Sequence, residues 1–437
     1  MRFLSKERFD VHMKEVLVGT GVTFVMVIIG ESLKFGFNLL LANTLGPAGA
    51  GQFFLALTVI TLATVLGQIG LDKALLKFIA ANAALDNWVA VKGLYLKGTI
   101  ITVCSSTLSL LTVFAAAPFI SSAVFGNPEL TVPLRWMSIA ILPMALMMQH
   151  AEMLKGLKKM REAHLVNKAM VPFCSLIALY FLHEEHGIMG AVWAYSAAAV
   201  LALAAGRFFW VKNTPQLKKA IGKFSSRELL ASSIPLFWIS FLDILIQWMG
   251  ILILGIFGTE KDVGIFTIAS NTALVIVIFL FSVNSITAPK YAALYSQKEF
   301  AALGGIARNS TMLMTLLSSP FLMVFLFFPS WVMSFYGSGF EQGAILLSVL
   351  AVGQFVNVAT GSVGLLLIMS GHERQMMNVI FFIAVLNITA NLVLVPIAGP
   401  FGAAFAASIC VITKNIVLAI LVWQKLGIIT IPFPKVE

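Results

Sequence analysis

Long apolar runs alternate with short polar ones along the whole chain. The runs fall at 16–41, 53–79, 95–124, 132–153, 166–182, 188–211, 229–257, 263–288, 311–328, 343–369, 376–396 and 401–423. Each approaches or exceeds the roughly 20 residues that cross a hydrocarbon core. A segment in lipid has to satisfy its own backbone hydrogen bonds, so each run predicts a helix. The pattern predicts an all-α polytopic membrane protein of about twelve transmembrane helices. The N-terminal residues are polar and basic (Arg2, Lys6, Arg8, Lys14). They lead into a run too long for a signal-peptide core and without a clear small-residue cleavage site, so it is expected to stay as the first span.

Composition sharpens this picture. The chain is 59% hydrophobic and 11% charged, with mean hydropathy +0.95, values foreign to a soluble globular domain. The net charge of +10 does not imply nucleic acid, because most cations fall in alternate loops and at the termini. The loop 152–168 carries Lys155, Lys158, Lys159, Arg161 and Lys168. The loop 207–228 carries Arg207, Lys212, Lys218, Lys219, Lys223 and Arg227. The opposite loops hold Glu129, Glu184, Glu185, Glu260, Asp262 and Glu341, with Lys261 and Arg135 as exceptions. The excess of Lys and Arg predicts that both termini are cytoplasmic, which an even number of spans permits. Cys104, Cys174 and Cys410 sit inside apolar runs at no metal-like spacing and read as small core residues.

The loops are short, which leaves no room for the extramembrane domain in which membrane glycosyltransferases, polymerases and ligases build their chemistry. There is no P-loop Lys-Ser/Thr signature and no nucleophile–base constellation in the loops. The expectation is a protein that is not an enzyme and needs no cofactor or metal. His183 and His186 flank Glu184 and Glu185, but without convergent partners they read as a solvated outer turn.

The two halves echo each other. Gly187-Ile-Met-Gly190-Ala191-Val-Trp-Ala194 matches Gly399-Pro-Phe-Gly402-Ala403-Ala-Phe-Ala406 at an offset of 212 residues. Gly51-Gln-Phe-Phe-Leu-Ala56 matches Gly264-Ile-Phe-Thr-Ile-Ala269 at 213. Each half enters from the same side, so the repeats are parallel and related by an axis along the membrane normal. The expected organisation is an N-terminal six-helix lobe at 1–211, a cytoplasmic linker at 212–228 and a C-terminal six-helix lobe at 229–437. Rocking the two bundles about a cleft would give alternating access.

Several blocks resemble a known family. They are Leu45-Gly-Pro-Ala-Gly-Ala-Gly-Gln-Phe, Gly70-Leu-Asp-Lys-Ala-Leu-Leu-Lys-Phe-Ile-Ala80, Asn284-Ser-Ile-Thr-Ala-Pro-Lys-Tyr-Ala-Ala-Leu-Tyr295, Gly353-Gln-Phe-Val-Asn357, Gly361-Ser-Val-Gly-Leu-Leu-Leu, Met369-Ser-Gly-His-Glu373 and Asn391-Leu-Val-Leu-Val-Pro396. In this order and spacing the chain is similar to the polysaccharide-transport flippases of the multidrug/oligosaccharidyl-lipid/polysaccharide exporter superfamily. The resemblance implies two six-helix lobes related by pseudo-two-fold symmetry around a V-shaped central cavity. It also implies movement of a polyprenyl-pyrophosphate-linked oligosaccharide from inner to outer leaflet. Relatives often carry an acid a few positions before the Leu-Gly of helix seven. Here that place is Gly250, so a cation-coupling role resting on that acid lacks its residue. Lipid II flippases usually carry extra C-terminal helices that this chain is not expected to have.

Ionisable residues inside spans face a cavity or a partner. Glu31 and Lys34 lie at i,i+3 on one face of the first span. Either Lys34 meets the substrate pyrophosphate while Glu31 tunes it or titrates, or the two neutralise each other. Lys73 and Lys77 share a face near the cytoplasmic end of the second span, as snorkelling residues or as a cationic entrance for lipid phosphates. Asp72, adjacent to Lys73, is expected to point elsewhere. Asp243, with Gln247 one turn on and a kink expected at Pro235, reads as a proton or cation site or as a hydrogen-bonded tie between helices. Lys414 in the last span faces cavity or interface. Gln354, Asn357, Asn387 and Asn391 can hold sugar hydroxyls, or join helices for about 1 kcal/mol each or less. Trp331, Phe335 and Tyr336 read as an interfacial aromatic belt.

The expected protein is a bacterial inner-membrane flippase for O-antigen, capsule or exopolysaccharide assembly. Its expected partners are the lipid-linked oligosaccharide, membrane lipids and polysaccharide polymerase or assembly proteins. The alternative is a cation-coupled multidrug and toxic-compound exporter, which should line its cavity with acids. A membrane-embedded transferase is a third reading, opposed by the short loops.

Overall fold

The computed structural model describes the backbone of residues 2–430 and the side chains of 25–182, 186–284, 287, 288 and 290–430. The side chains of Arg2, Lys6, Arg8, Lys14, His183, Glu184 and Glu185 therefore lie outside the described residues. Among those described there is no strand. The helices are α1 (Arg2–Gln68), α2 (Leu71–Ala83), α3 (Trp88–Phe119), α4 (Thr131–Ser138), α5 (Ile141–Gly156), α6 (Met160–His164), α7 (Val171–Asn213) and α8 (Ser226–Phe257). They continue with α9 (Glu260–Ala273), α10 (Ile278–Ser296), α11 (Phe300–Phe327), α12 (Pro329–Ser334), α13 (Ala344–Ala359), α14 (Val363–Met369) and α15 (Glu373–Leu426).

Among the described residues nine helices are long and apolar enough to cross a membrane, or ten when the bent pair Pro128–Ser138 and Ile141–Gly156 is one span. Two of these are too long for one crossing: Val25–Gln68 has 44 residues and Glu373–Leu426 has 54. At about 1.5 Å per residue each is at least twice as long as a hydrocarbon core of about 30 Å. Each is broken by a glycine, Gly46 (φ 65°) in α1 and Gly399 (φ 54°) in α15. Divided there, the ten give twelve segments, a number consistent with the crossings the sequence predicts.

The breaks follow local chemistry. Gly187 in α7 has φ 50°, ψ −129°, and Gly399 has φ 54°, ψ −134°, so the two glycines matched by the repeat share one backbone conformation that a side chain would strain. The second expected span ends its first part at Gln68 because Ile69 (φ 49°) and Gly70 (φ 71°) are both left-handed. The apolar run at 132–153 predicts an unbroken span. Instead it bends by 44° between α4 and α5, where the ring of Pro143 would meet the carbonyl of Ile139 in a continuous helix. Gly361 (φ 79°) separates α13 from α14. Pro235, by contrast, sits inside the continuous α8.

The chain divides into two compact units. One comprises Ile29–Thr267 with Tyr336–Ser338, the other Ile268–Phe335 and Gly339–Glu437 with Met1–Ile28. In the first, Leu71, Leu75 and Ile79 of α2 pack with Val91, Leu94, Met153, Leu154, Trp210, Leu217 and Leu229. The connection between α7 and α8 joins this core and is fastened to α3. Lys92 Nζ donates to Ala220 O (2.7 Å), Lys97 Nζ to Phe224 O (2.6 Å), and the Lys223 N–H to Val89 O (3.1 Å). In the second unit Tyr291, Leu303, Leu367, Ile383, Cys410, Leu418 and Val422 form the core.

Two expectations from the sequence need correction. Cys410 fills a core, but Cys104 is exposed on α3. Trp331 (59% exposed) and Phe335 (52%) suit a belt, whereas Tyr336 is 2% exposed, its ring 5.8 Å from that of Phe35. Gly337 (φ 104°) and Gly339 (φ 92°) supply the tight turn around it.

Candidate functional site

The first charged cluster lies where α1 meets the chain entering α7. Residues Leu165–Met170 form a π turn between α6 and α7, a widened turn often found at functional sites. Gly30 lets α1 approach it: a Cβ there would stand 2.9 Å from both Lys168 Cβ and Lys168 O. This contact brings Glu31 Oε1 to 3.9 Å from Lys168 Nζ, a charge pair longer than a hydrogen bond, with side chains 30% and 45% exposed. Lys34, one turn along the same face, lies within electrostatic reach of both Glu31 and Lys168. Two lysines thus lie near one carboxylate, a grouping that suits an anionic group. Lys168 reads from sequence as a loop cation. The signal for more is its place as the third residue of the expected fifth span.

The second cluster joins α2 to α5. Glu152, 5% exposed, accepts on the same Oε1 from Lys73 Nζ (3.2 Å) and Lys155 Nζ (2.7 Å). Lys73 Nζ also lies 3.9 Å from Asp72 Oδ2. Adjacency in sequence does not turn Asp72 away from Lys73, because the flexible lysine stem bends back toward its neighbour. Glu152 does not stand out in the sequence; its i,i+3 spacing to Lys155 is the available signal. Lys77 is exposed, its Nζ 5.8 Å from the Phe78 ring centroid. His164 lies within electrostatic reach of Lys155 and Glu152 of this cluster and of Lys168 of the first.

The remaining candidates lie apart from these. Asp243 is exposed on α8 and accepts from Gln247 Nε2 at 3.1 Å. Lys414 is half-buried on α15. Asn357 Nδ2 donates to Gln354 Oε1 (3.3 Å), both half-buried on α13. Asn387 and Asn391 are 4% and 1% exposed. Asn391 Nδ2 donates to Asn387 O (2.9 Å), and the Asn387 side chain bonds to Cys410. Asn387 thereby joins the arms of α15 across its break. One polar group is not evident from the sequence. Ser362, just after the break at Gly361, donates to Asn284 Oδ1, and Tyr291 bonds to Thr287, Ser362 and Ser310. Two of the sequence blocks that carry the family resemblance therefore meet in space.

Comparison with known proteins fits this architecture. The chain is 24% identical over 88% of its length, and 79% of the relative's, to the probable low-salt glycan biosynthesis flippase Agl15 of Haloferax volcanii. Its fold matches an inward-facing multidrug resistance MATE family transporter of the MOP superfamily with TM-score 0.73, at 15% identity over 93% of this chain and 98% of that one. It matches the lipid II flippase MurJ in an inward closed conformation with TM-score 0.72, at 14% identity over 92% and 87%. Residues 235–393 match the MatE model. The model for polysaccharide biosynthesis proteins spans residues 16–292, well over half of the sequence, and the chain belongs to that family.

Proposed function

We propose that this protein is a flippase that moves a polyprenyl-pyrophosphate-linked oligosaccharide between leaflets by alternating access. The observation that carries the reading is the Glu31–Lys34–Lys168 cluster. A pyrophosphate brings several negative oxygens into a region where unpaired charge is costly. Lys34 and Lys168 would offer it two cations, and Glu31 offsets one of them while the site is empty. Family membership and the likeness to a protein named as a glycan biosynthesis flippase support the same reading. Lys73 and Lys77 would be met first by head groups entering at the basic end. Lys414, Gln354, Asn357, Asn387 and Asn391 would meet the sugar. Asp243 is the remaining candidate for ion coupling. The protein would sit in the cytoplasmic membrane with both termini inside, passing its product to polysaccharide polymerase or assembly proteins.

The test is reconstitution into vesicles holding a short polyprenyl-diphosphate oligosaccharide, with a membrane-impermeant lectin or glycosidase reading its appearance in the opposite leaflet. Flipping that depends on Lys34 and Lys168 is expected. Efflux of cationic drugs without movement of the lipid would replace this reading with the exporter one, which the MatE match would then explain.

A further inference from the structure

The connection between α7 and α8 runs beside α3 rather than past its end. Lys92 Nζ donates to Ala220 O, the Lys223 N–H to Val89 O, and Lys97 Nζ to Phe224 O. Two glycines let the backbones touch. A Cβ on Gly93 would lie 2.5 Å from Lys223 C, and one on Gly222 would lie 3.1 Å from the Gly93 nitrogen. From Val89 to Lys97 a helix rises about 12 Å, so residues 220–224 form a strap along the first turns of α3.

The side of α3 beside the strap is apolar and exposed. Leu96, Ile100, Cys104, Leu108 and Leu111 recur at helical spacing and are all exposed. No charged residue follows Lys97 in this helix. An exposed apolar stripe of this length along a crossing marks the surface that lipid meets. Gly222 rests on the first residue of the stripe, where a Cβ would stand 3.2 Å from Leu96 Cδ1. The strap therefore sits on the lipid side of α3, at its basic end.

The strap has an inner and an outer set of side chains. Leu217 and Phe224 pack into the core of this unit, with the Phe224 ring 5.3 Å from that of Phe78. Lys218, Lys219, Ile221 and Lys223 are all exposed, Ile221 to 84%. Ala220 and Gly222 on either side of Ile221 are held against α3, so this isoleucine is displayed by a fastened backbone. One apolar side chain among three lysines is the pattern of a segment lying in a membrane interface, with its apolar group among acyl chains and its cations among head groups. The nearest acids in sequence are Asp86 and Glu228, so cations prevail here.

We propose that the strap is an interfacial anchor for anionic phospholipid: Lys218, Lys219 and Lys223 take the head groups, and Ile221 enters the lipid beneath them. The proposal goes beyond the flippase reading and does not depend on it. The test uses the full chain with Cys104, Cys174 and Cys410 replaced by alanine and a spin label at Ile221→Cys. The protein is placed in nanodiscs of phosphatidylcholine alone or mixed with phosphatidylglycerol. With the anionic lipid, accessibility to an aqueous nickel chelate is expected to fall severalfold and accessibility to oxygen to rise. Raised salt should weaken the change, because head-group attraction is screened. Lys218→Gln, Lys219→Gln and Lys223→Gln together should abolish it. All three side chains are exposed, so the thermal midpoint in neutral detergent should stay at the parent value, which separates lost lipid contact from lost fold. A label open to the chelate in both lipids overturns the proposal. So does shielding that is equal in the two lipids, or that survives the three glutamines.

Discussion

At the scale of single residues, the site is defined by which charge stands next to which. Sequence spacing puts Glu31 and Lys34 on one face, but Glu31 takes its ion pair across helices with Lys168. That partner is not legible in the sequence because it depends on the π turn at Leu165–Met170 and on Gly30 admitting it, neither of which has a periodic signature. The geometry makes two substitutions behave differently. On the proposed function, Lys168→Ala would remove a phosphate partner and leave Glu31 without its ion pair. The loss of a hydrogen bond to a charged group, about 1.5–3 kcal/mol, predicts flipping slowed about ten- to a hundredfold. Glu31→Gln raises the local charge instead, so the lipid head group should bind more tightly and turn over more slowly. Initial flipping rates against substrate concentration separate the two, and a Lys168→Ala protein with the parent rate would remove Lys168 from the site. Glu152→Gln tests the second cluster through stability. Two lysines lose their shared buried acceptor, but Lys73 is 43% exposed and can turn to water. The expected cost is therefore about 1–3 kcal/mol, below the full penalty for breaking a buried pair. Thermal unfolding in detergent reads it, with Lys77→Ala, an exposed side chain, expected to stay within about 0.5 kcal/mol of the parent.

At the scale of elements, the spans are legible in the sequence and their interruptions only partly so. Runs of apolar residues locate the crossings because lipid demands continuous helices. The repeat locates Gly187 and Gly399, which share backbone angles in a region where only glycine is at ease. The break at Ile69–Gly70 is hidden because a β-branched residue rarely adopts positive φ. Here Gly70 packs so closely on α8 that a Cβ would come within 2.4 Å of Ser233 O. Glycines act in this chain for two separate reasons, and substitution distinguishes them. No neighbour lies within 4 Å of the Cβ position at Gly187 or Gly399, so alanine there costs backbone strain alone, about 1–3 kcal/mol. Because the two positions are equivalent in the repeat, Gly187→Ala and Gly399→Ala should lower the thermal midpoint by similar amounts. A marked difference between them in a fluorescence-detected unfolding series would show that the shared angles do not reflect a shared role.

At the scale of the whole molecule, charge sets orientation. The cations at one end do two jobs. Lys92 and Lys97 are committed to the strap 214–225 through its carbonyls. Lys159, Arg161, Lys212, Lys218 and Lys219 lie in or beside the connections there. A Lys or Arg near an anionic leaflet contributes about 1 kcal/mol, and each resists transfer across the bilayer during insertion, so several together outweigh Arg135 and Lys261 at the other end. The committed lysines give that end a second property. Once Lys92 and Lys97 are seated, the strap fixes the entry of α8, and inverting the chain would place the whole fastened assembly on the wrong side. A fluorescent protein fused after residue 437 should therefore fold and fluoresce inside the cell. Alkaline phosphatase inserted after Gly258, between α8 and α9, should be active outside it. The reverse pattern would invert the orientation, and with it the leaflet that faces Lys73.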